Sequence, residues 1–169
     1  MDSSRPQHSA TLIMSPSVLV SLQVNARPLR ILVVDDDAHT RQMLSEVLEL
    51  FGAEVHAAES VAAARRVLHE FTPDVVVSDV GMPQESGYDL IRQLRAMPRE
   101  HGGSAAAIAC TGYARPEDCD RALDAGYQDV VPKPVDLERL LRAIARLSAA
   151  TAPRRPRRRE ARARTTSSA

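Results

Sequence analysis

The run Val75-Val76-Val77 is apolar at three consecutive positions, so a strand built from it has no face to turn toward water. Such a strand belongs in the middle of a parallel sheet with helices covering both sides. The rest of the chain agrees, because short apolar runs alternate with stretches whose apolar residues recur at helical spacing. Strands are expected at about 30–34, 54–57, 75–77, 105–110 and 129–131. Five helices follow them in turn. Their inward faces are Met43, Leu44, Val47, Leu48 and Phe51, then Val61, Ala64, Val67, Leu68 and Phe71, then Leu90, Ile91, Leu94 and Met97. The fourth offers only Cys119, Ala122 and Leu123 and is expected to be the loosest; the last offers Leu137, Leu140, Leu141, Ile144 and Leu147. Gly52, Pro73 and Gly126 mark helix ends, Ser60 caps the second helix, and Pro116 with Glu117 and Asp118 opens the fourth. No hairpin signal and no internal repeat interrupts the alternation. The pattern predicts an α/β fold, a doubly wound five-stranded parallel sheet with right-handed crossovers and five helices.

In such a sheet, ligands bind outside the carboxyl ends of the strands. Here those ends carry chemistry. Ile31-Leu32-Val33-Val34 runs into Asp35-Asp36-Asp37, Val77-Ser78 into Asp79, Cys110 into Thr111, and Val130-Val131-Pro132 into Lys133. Lys133 is the sole lysine in a chain of twenty-one arginines. Lysine offers a compact ammonium on a flexible stem where arginine offers a broad planar fork, so the choice points to a need for that shape. Acids, a hydroxyl and one ammonium at neighbouring strand ends predict an acidic site for a metal and a phosphoryl group. Asp37 reads as a helix cap. His39, His56, His69 and His101 read as surface residues, with no partner at metal or triad spacing.

The formal net charge of zero conceals an uneven distribution. Seven arginines face one acid after Ala150, whereas residues 29–150 hold 13 basic and 20 acidic side chains. An acidic body with a basic tail is not the profile of a nucleic-acid-binding fold. The tail lacks aromatic residues, so any contact with nucleic acid is expected to be nonspecific and salt-dependent. Cys110 and Cys119 form neither a disulfide framework nor a zinc pattern, and Cys110 reads as a small buried hydrophobe. No apolar run approaches the roughly 18 residues of a membrane span. Leu12 to Val24 is mildly apolar and Val24-Asn25-Ala26 loosely imitates a cleavage site, but Pro16 and Gln23 weaken a signal-peptide reading. A cytoplasmic location is expected. Residues 1–28 read as a disordered leader or linker, 29–150 as the folded domain and 151–169 as a disordered Arg-rich tail.

Taken in order, Val33-Val34-Asp35-Asp36-Asp37, Val77-Ser78-Asp79-Val80-Gly81-Met82-Pro83, Cys110-Thr111-Gly112 and Pro132-Lys133-Pro134 resemble the motifs of a response-regulator receiver domain (CheY-like). The resemblance covers about residues 29–150. Gly87-Tyr88-Asp89-Leu90 and Thr111-Gly112-Tyr113-Ala114 look most similar to receivers attached to hybrid histidine kinases. The resemblance implies a flavodoxin-like strand order, 2-1-3-4-5, which sets the ends of the first and third strands side by side. It implies that Asp79 accepts a phosphoryl group in two-component phosphorelay signalling, with Mg²⁺ as cofactor. Asp36, Asp79 and the Gly81 carbonyl are then the metal ligands, and Asp35 acts through water. Thr111 and Lys133 contact the phosphoryl oxygens, and the Lys133–Pro134 peptide is cis. The implied partners are a histidine kinase or phosphotransfer protein upstream and a protein partner downstream, with no membrane. The module assists its own phosphorylation and dephosphorylation and is not otherwise an enzyme.

Many receivers carry an aromatic residue three positions before the lysine; here Val130 stands there, and Tyr127 lies three positions earlier still. The competing reading is a haloacid-dehalogenase-type Mg²⁺-dependent phosphatase, whose Asp-x-Asp opening is satisfied by Asp35-Asp36-Asp37. That family needs a further acidic motif after the lysine, and only Asp136, Glu138 and Glu160 remain, with no adjacent pair. A long-lived acyl phosphate is expected, since Gly81 has no side chain to orient a hydrolytic water and Tyr113 is bulky enough to crowd its approach.

Overall fold

A computed structural model describes residues 22–24, 27–112 and 115–151. Five parallel strands form one sheet: β1 (Arg30–Val34), β2 (Glu54–Ala58), β3 (Val75–Asp79), β4 (Ala106–Thr111) and β5 (Asp129–Pro132). Their spatial order is β2-β1-β3-β4-β5, the order expected. Five helices alternate with them: α1 (Ala38–Leu50), α2 (Val61–Glu70), α3 (Gly87–Ala96), α4 (Pro116–Ala125) and α5 (Leu137–Thr151).

β3 lies between β1 and β4 and every residue of it is buried, as its two-faced apolar run requires. Alternate residues of each strand feed two cores. Ile31, Val33, Val75, Val77, Ile108 and Cys110 pack with Leu44 and Leu48 of α1 and with Leu140, Leu141 and Ile144 of α5. Leu32, Val34, Val76, Ala107 and Ala109 pack on the other face with Ala64 and Leu68 of α2, with Leu90, Ile91 and Leu94 of α3, and with Ala122 of α4. The sheet is therefore wound on both sides.

Local signals set the helix ends. Asp37 accepts from the Thr40 amide at 2.7 Å, and Ser60 Oγ from the Ala63 amide at 3.1 Å. The Ser86 amide and hydroxyl both donate to Asp89 Oδ2, at 2.9 and 2.8 Å, and Ser86-Gly87-Tyr88-Asp89 thus forms an N-terminal clasp on α3. α4 has Pro116 in its first turn and ends at Gly126 in the left-handed region, φ +119°. Leu123 corrects one expectation, being 46% exposed. It lies one helical step, about 100°, past the buried Ala122, which carries it off the inward stripe. Arg95 of α3 holds the end of α4 instead, donating to the carbonyls of Gly126, Gly103 and Ala105 and to Gln128 Oε1.

The fold also takes in residues from the segment read as leader. Gln23–Val24 pairs antiparallel with Arg27–Pro28 in a two-residue ribbon. Leu22 is fully buried, its amide donates to the Phe51 carbonyl at 3.0 Å, and the Arg27 guanidinium grips Asp74 with bonds of 2.8 and 2.7 Å. Leu22 lies in a mildly apolar stretch with no sustained helical or strand period, so nothing local marks it for burial. The rest of the expected leader and tail, with the cleavage-site imitation at Asn25 and Ala26, lies outside the described residues. Among the described residues, no helix is long and apolar enough to cross a membrane.

Candidate functional site

Strand order builds the site. Because β1 and β3 are neighbours in register, with Val34 opposite Ser78, the chain leaves both strands at one edge and sets Asp35 beside Asp79. β4 and β5 continue that edge, bringing Thr111 opposite Pro132 and Lys133 just beyond. The Lys133 amide donates to the Thr111 carbonyl at 2.8 Å, fixing the start of the lysine stem against β4. The Lys133–Pro134 peptide is cis.

From that anchor the Lys133 ammonium reaches two acids at once, Asp79 Oδ2 at 2.8 Å and Asp35 Oδ2 at 3.0 Å. The other oxygens of both acids are also engaged. Asp79 Oδ1 accepts from the Gly81 amide at 2.9 Å, and Asp35 Oδ1 from the Asp37 amide at 2.9 Å. Both carboxylate planes are thereby fixed. Asp35, Asp79 and Thr111 are buried, while Asp36 stands exposed at the mouth. Asp37 is occupied as the cap of α1 and takes no part in the cluster.

Asp35, Asp36 and Asp79 each offer a carboxylate oxygen, and these lie within 4.8 Å of one another. Three acids against one ammonium leave surplus negative charge. Burial raises the Asp35 pKa above the usual carboxylate range, and the hydrogen bonds from Lys133 and the Asp37 amide only partly offset it. Burial also works against the Lys133 ammonium, but its bonds to Asp79 and Asp35 outweigh that and raise its pKa. An all-oxygen donor set with unneutralised charge fits a hard divalent cation. This cluster can hold a metal ion.

Beside Asp79 the surface opens into a hollow of about 490 Å³ that reaches Gly81, Thr111, Gly112 and Lys133. Among the described residues, chain neighbours aside, a methyl group built on Gly112 would meet nothing within 4 Å, and one on Gly81 would meet only Asp79 Oδ1, at 3.7 Å. The far rim is formed by Tyr88, with the Arg121 guanidinium 4.6 Å from its ring centroid, a pair that the sequence reading did not single out. Tyr113 lies outside the described residues. Val130 is buried, and Cys110 is an inert core residue whose thiol is pushed up to about 12 by burial.

Residues 31–145 match the family model described as the response regulator receiver domain. The chain is 44% identical over 114 residues to an uncharacterized 14.6 kDa protein of Leptolyngbya boryana, spanning 68% of this chain and 86% of that one. It is 37% identical over 111 residues to the regulatory protein AtoC of Escherichia coli, a match covering 66% of this chain but 23% of the much longer relative. Among solved structures, the signal receiver domain of a signal transduction histidine kinase from Syntrophus aciditrophicus superposes with a TM-score of 0.66 at 30% identity, covering 76% of this chain and 95% of that one. The haloacid-dehalogenase reading finds no support, because the family that matches over residues 31–145 is the receiver's. The chain belongs to the response regulator receiver domains of two-component signalling.

Proposed function

We propose that Asp79 is the phosphoacceptor and that the protein works in the cytoplasm, taking a phosphoryl group from a phosphohistidine of a histidine kinase or phosphotransfer protein in a Mg²⁺-dependent reaction. The observation that carries this reading is the double reach of Lys133 to Asp79 and Asp35 at the floor of an open hollow. Asp36 and Asp79, with the Gly81 carbonyl, would hold the ion, and Asp35 would act through its waters. The bound ion would supply charge compensation between two anionic groups.

The chain's own residues do the rest. The Asp79 carboxylate, oriented by the Gly81 amide and Lys133, attacks phosphorus in line with the departing imidazole. The P–N bond breaks as the acyl phosphate O–P bond forms, and the histidine leaves with its electron pair. Such transfer depends on positioning and charge stabilisation and needs no general base. Lys133 exchanges its bond to Asp79 for one to a phosphoryl oxygen, and the Thr111 hydroxyl takes another. The open space over Gly112 admits the donor. Output then passes to a downstream protein partner through the face that responds to Thr111.

Incubating the protein with Mg²⁺ and a small acyl phosphate, followed by intact-mass measurement, tests this reading. One added phosphoryl group, labile to hydroxylamine and missing from Asp79→Asn, is the expected result. Full incorporation in Asp79→Asn would overturn it.

A further inference from the structure

Asp79 ends β3 and Gly81 lies in the loop that leads from it to α3, and one side chain from outside this stretch touches the residues at both of its ends. Tyr127, just after α4, is 3% exposed, and its hydroxyl donates to the Gly87 carbonyl at 2.8 Å. That bond uses the only phenolic proton, so Ser78 Oγ, 2.5 Å away, donates to Tyr127. Ser78 immediately precedes Asp79 on β3, and Gly87 is the first residue of α3. The Gly87 amide in turn donates to the Val80 carbonyl at 3.1 Å, closing the loop on itself.

Gly87 is what allows the approach. A Cβ there would stand 2.7 Å from the Tyr127 oxygen, 2.4 Å from the Asp79 carbonyl and 2.9 Å from the Val80 Cα. Burial raises the phenol's pKa above its ordinary value, so it remains a neutral donor. The network sits among the apolar residues of the α2–α4 core, where a hydrogen bond is stronger than in water and its loss is felt more. The Tyr127 amide donates to the Ala122 carbonyl at 3.2 Å, so the same residue is fastened to α4.

We infer that Tyr127 is a positioning residue for the acceptor loop: by pinning Ser78 and Gly87 through one hydroxyl, it holds Asp79 and Gly81 in the geometry that binds the divalent cation and receives the phosphoryl group. The inference rests on the acceptor reading proposed above. It assigns to Tyr127 a place in the site that Val130, apolar and three positions nearer the lysine, has no polar atom to fill.

The test compares the full chain with Tyr127→Phe, Ser78→Ala and the double variant. Three quantities are read: Mg²⁺ affinity by calorimetric titration, the thermal midpoint with and without Mg²⁺, and the phosphorylation rate from a small acyl phosphate. Tyr127→Phe keeps the ring, so it is expected to fold, to bind Mg²⁺ roughly three- to tenfold more weakly, and to lose a similar factor in rate at limiting Mg²⁺. Ser78→Ala should move both in the same direction by less, because the bond to Gly87 survives. The double variant should be no worse than Tyr127→Phe alone, since both substitutions act on one network. A lower thermal midpoint in Tyr127→Phe with Mg²⁺ affinity and rate within twofold of wild type would overturn the inference and leave the network as core structure only. Weakened Mg²⁺ binding in Tyr127→Phe, alongside a wild type that takes no phosphoryl group, would uphold the positioning role and overturn only the acceptor reading.

Discussion

Lys133 Nζ stands 2.8 Å from Asp79 Oδ2, across 54 positions of sequence, and joins the sole lysine of the chain to the acid that ends β3. The same ammonium holds Asp35 at 3.0 Å, so one point charge is shared between two buried carboxylates. A planar guanidinium is a broader group whose donors point in a fixed fork, unlike the compact ammonium that meets both acids here. Lys133→Arg is therefore expected to slow phosphorylation roughly tenfold or more although the charge is kept. Wild-type rates in that variant, followed by intact mass over time, would show that charge alone suffices.

The metal assignment separates neighbouring acids. Asp36 is exposed at the mouth of the cluster, while the Asp37 side chain accepts the Thr40 amide and lies outside it. Asp36→Asn should weaken Mg²⁺ binding by about tenfold or more, whereas Asp37→Asn, which can still cap the helix, should change it little. Equal losses in a Mg²⁺ titration would shift the cluster by one residue.

Asp35 makes a prediction about stability. Its pKa is raised in the folded state, chiefly by burial, so the group favours folding while protonated and loses that contribution as pH rises through its folded pKa. Above that pKa the ionised carboxylate is therefore a burden in the absence of metal. Asp35→Asn should raise the thermal midpoint by a few degrees in Mg²⁺-free buffer at pH 7, and should be stabilised less than wild type when Mg²⁺ is added. A lower midpoint for the variant in Mg²⁺-free buffer would contradict this.

Leu22 and the pairing of Gln23–Val24 with Arg27–Pro28 are expected to matter for stability. Leu22 is fully buried, so Leu22→Ala should cost about 2–4 kcal/mol in denaturant titrations. Arg27 is half exposed, and Arg27→Ala should cost about 1 kcal/mol or less at neutral pH. Burial alone would raise the Asp74 pKa, but the Arg27 guanidinium and the Arg30 amide outweigh it and leave it lowered. The contribution is thus present above the unfolded value of about 3.8 and lost as pH falls through the lower folded value, so the two proteins should converge in strong acid. A gap that persists there would mean that Arg27 acts by packing.

Lifetime of the acyl phosphate is set by what can hold a water in line with phosphorus. A side chain at position 81 would point toward Asp79, since a Cβ there lies 3.7 Å from Oδ1 in ordinary contact. Gly81→Asn is expected to fit without strain and to shorten the lifetime severalfold. An unchanged decay of the phosphorylated mass would show that the missing side chain at position 81 does not set the lifetime.

Sequence by itself determined the alternation of strands and helices, because apolar period is a local property and each run had room for only one element. Val75-Val76-Val77 named the central strand, and the residues that end each strand named Asp35, Asp36, Asp79, Thr111 and Lys133 as neighbours once a parallel sheet was assumed. Tertiary structure decided which of them touch. That Lys133 spans Asp35 and Asp79, while Asp37 turns away to cap α1, follows from the register of β1, β3 and β5 and from the direction in which each chain leaves the sheet. It also decided Leu22, Leu123 and Tyr127. A leucine in a stretch without sustained period, a helix face too thin to set its own rotation, and a tyrosine whose partners lie 49 and 40 positions away carry no local signal. Their places depend on surfaces that exist only after the sheet has formed.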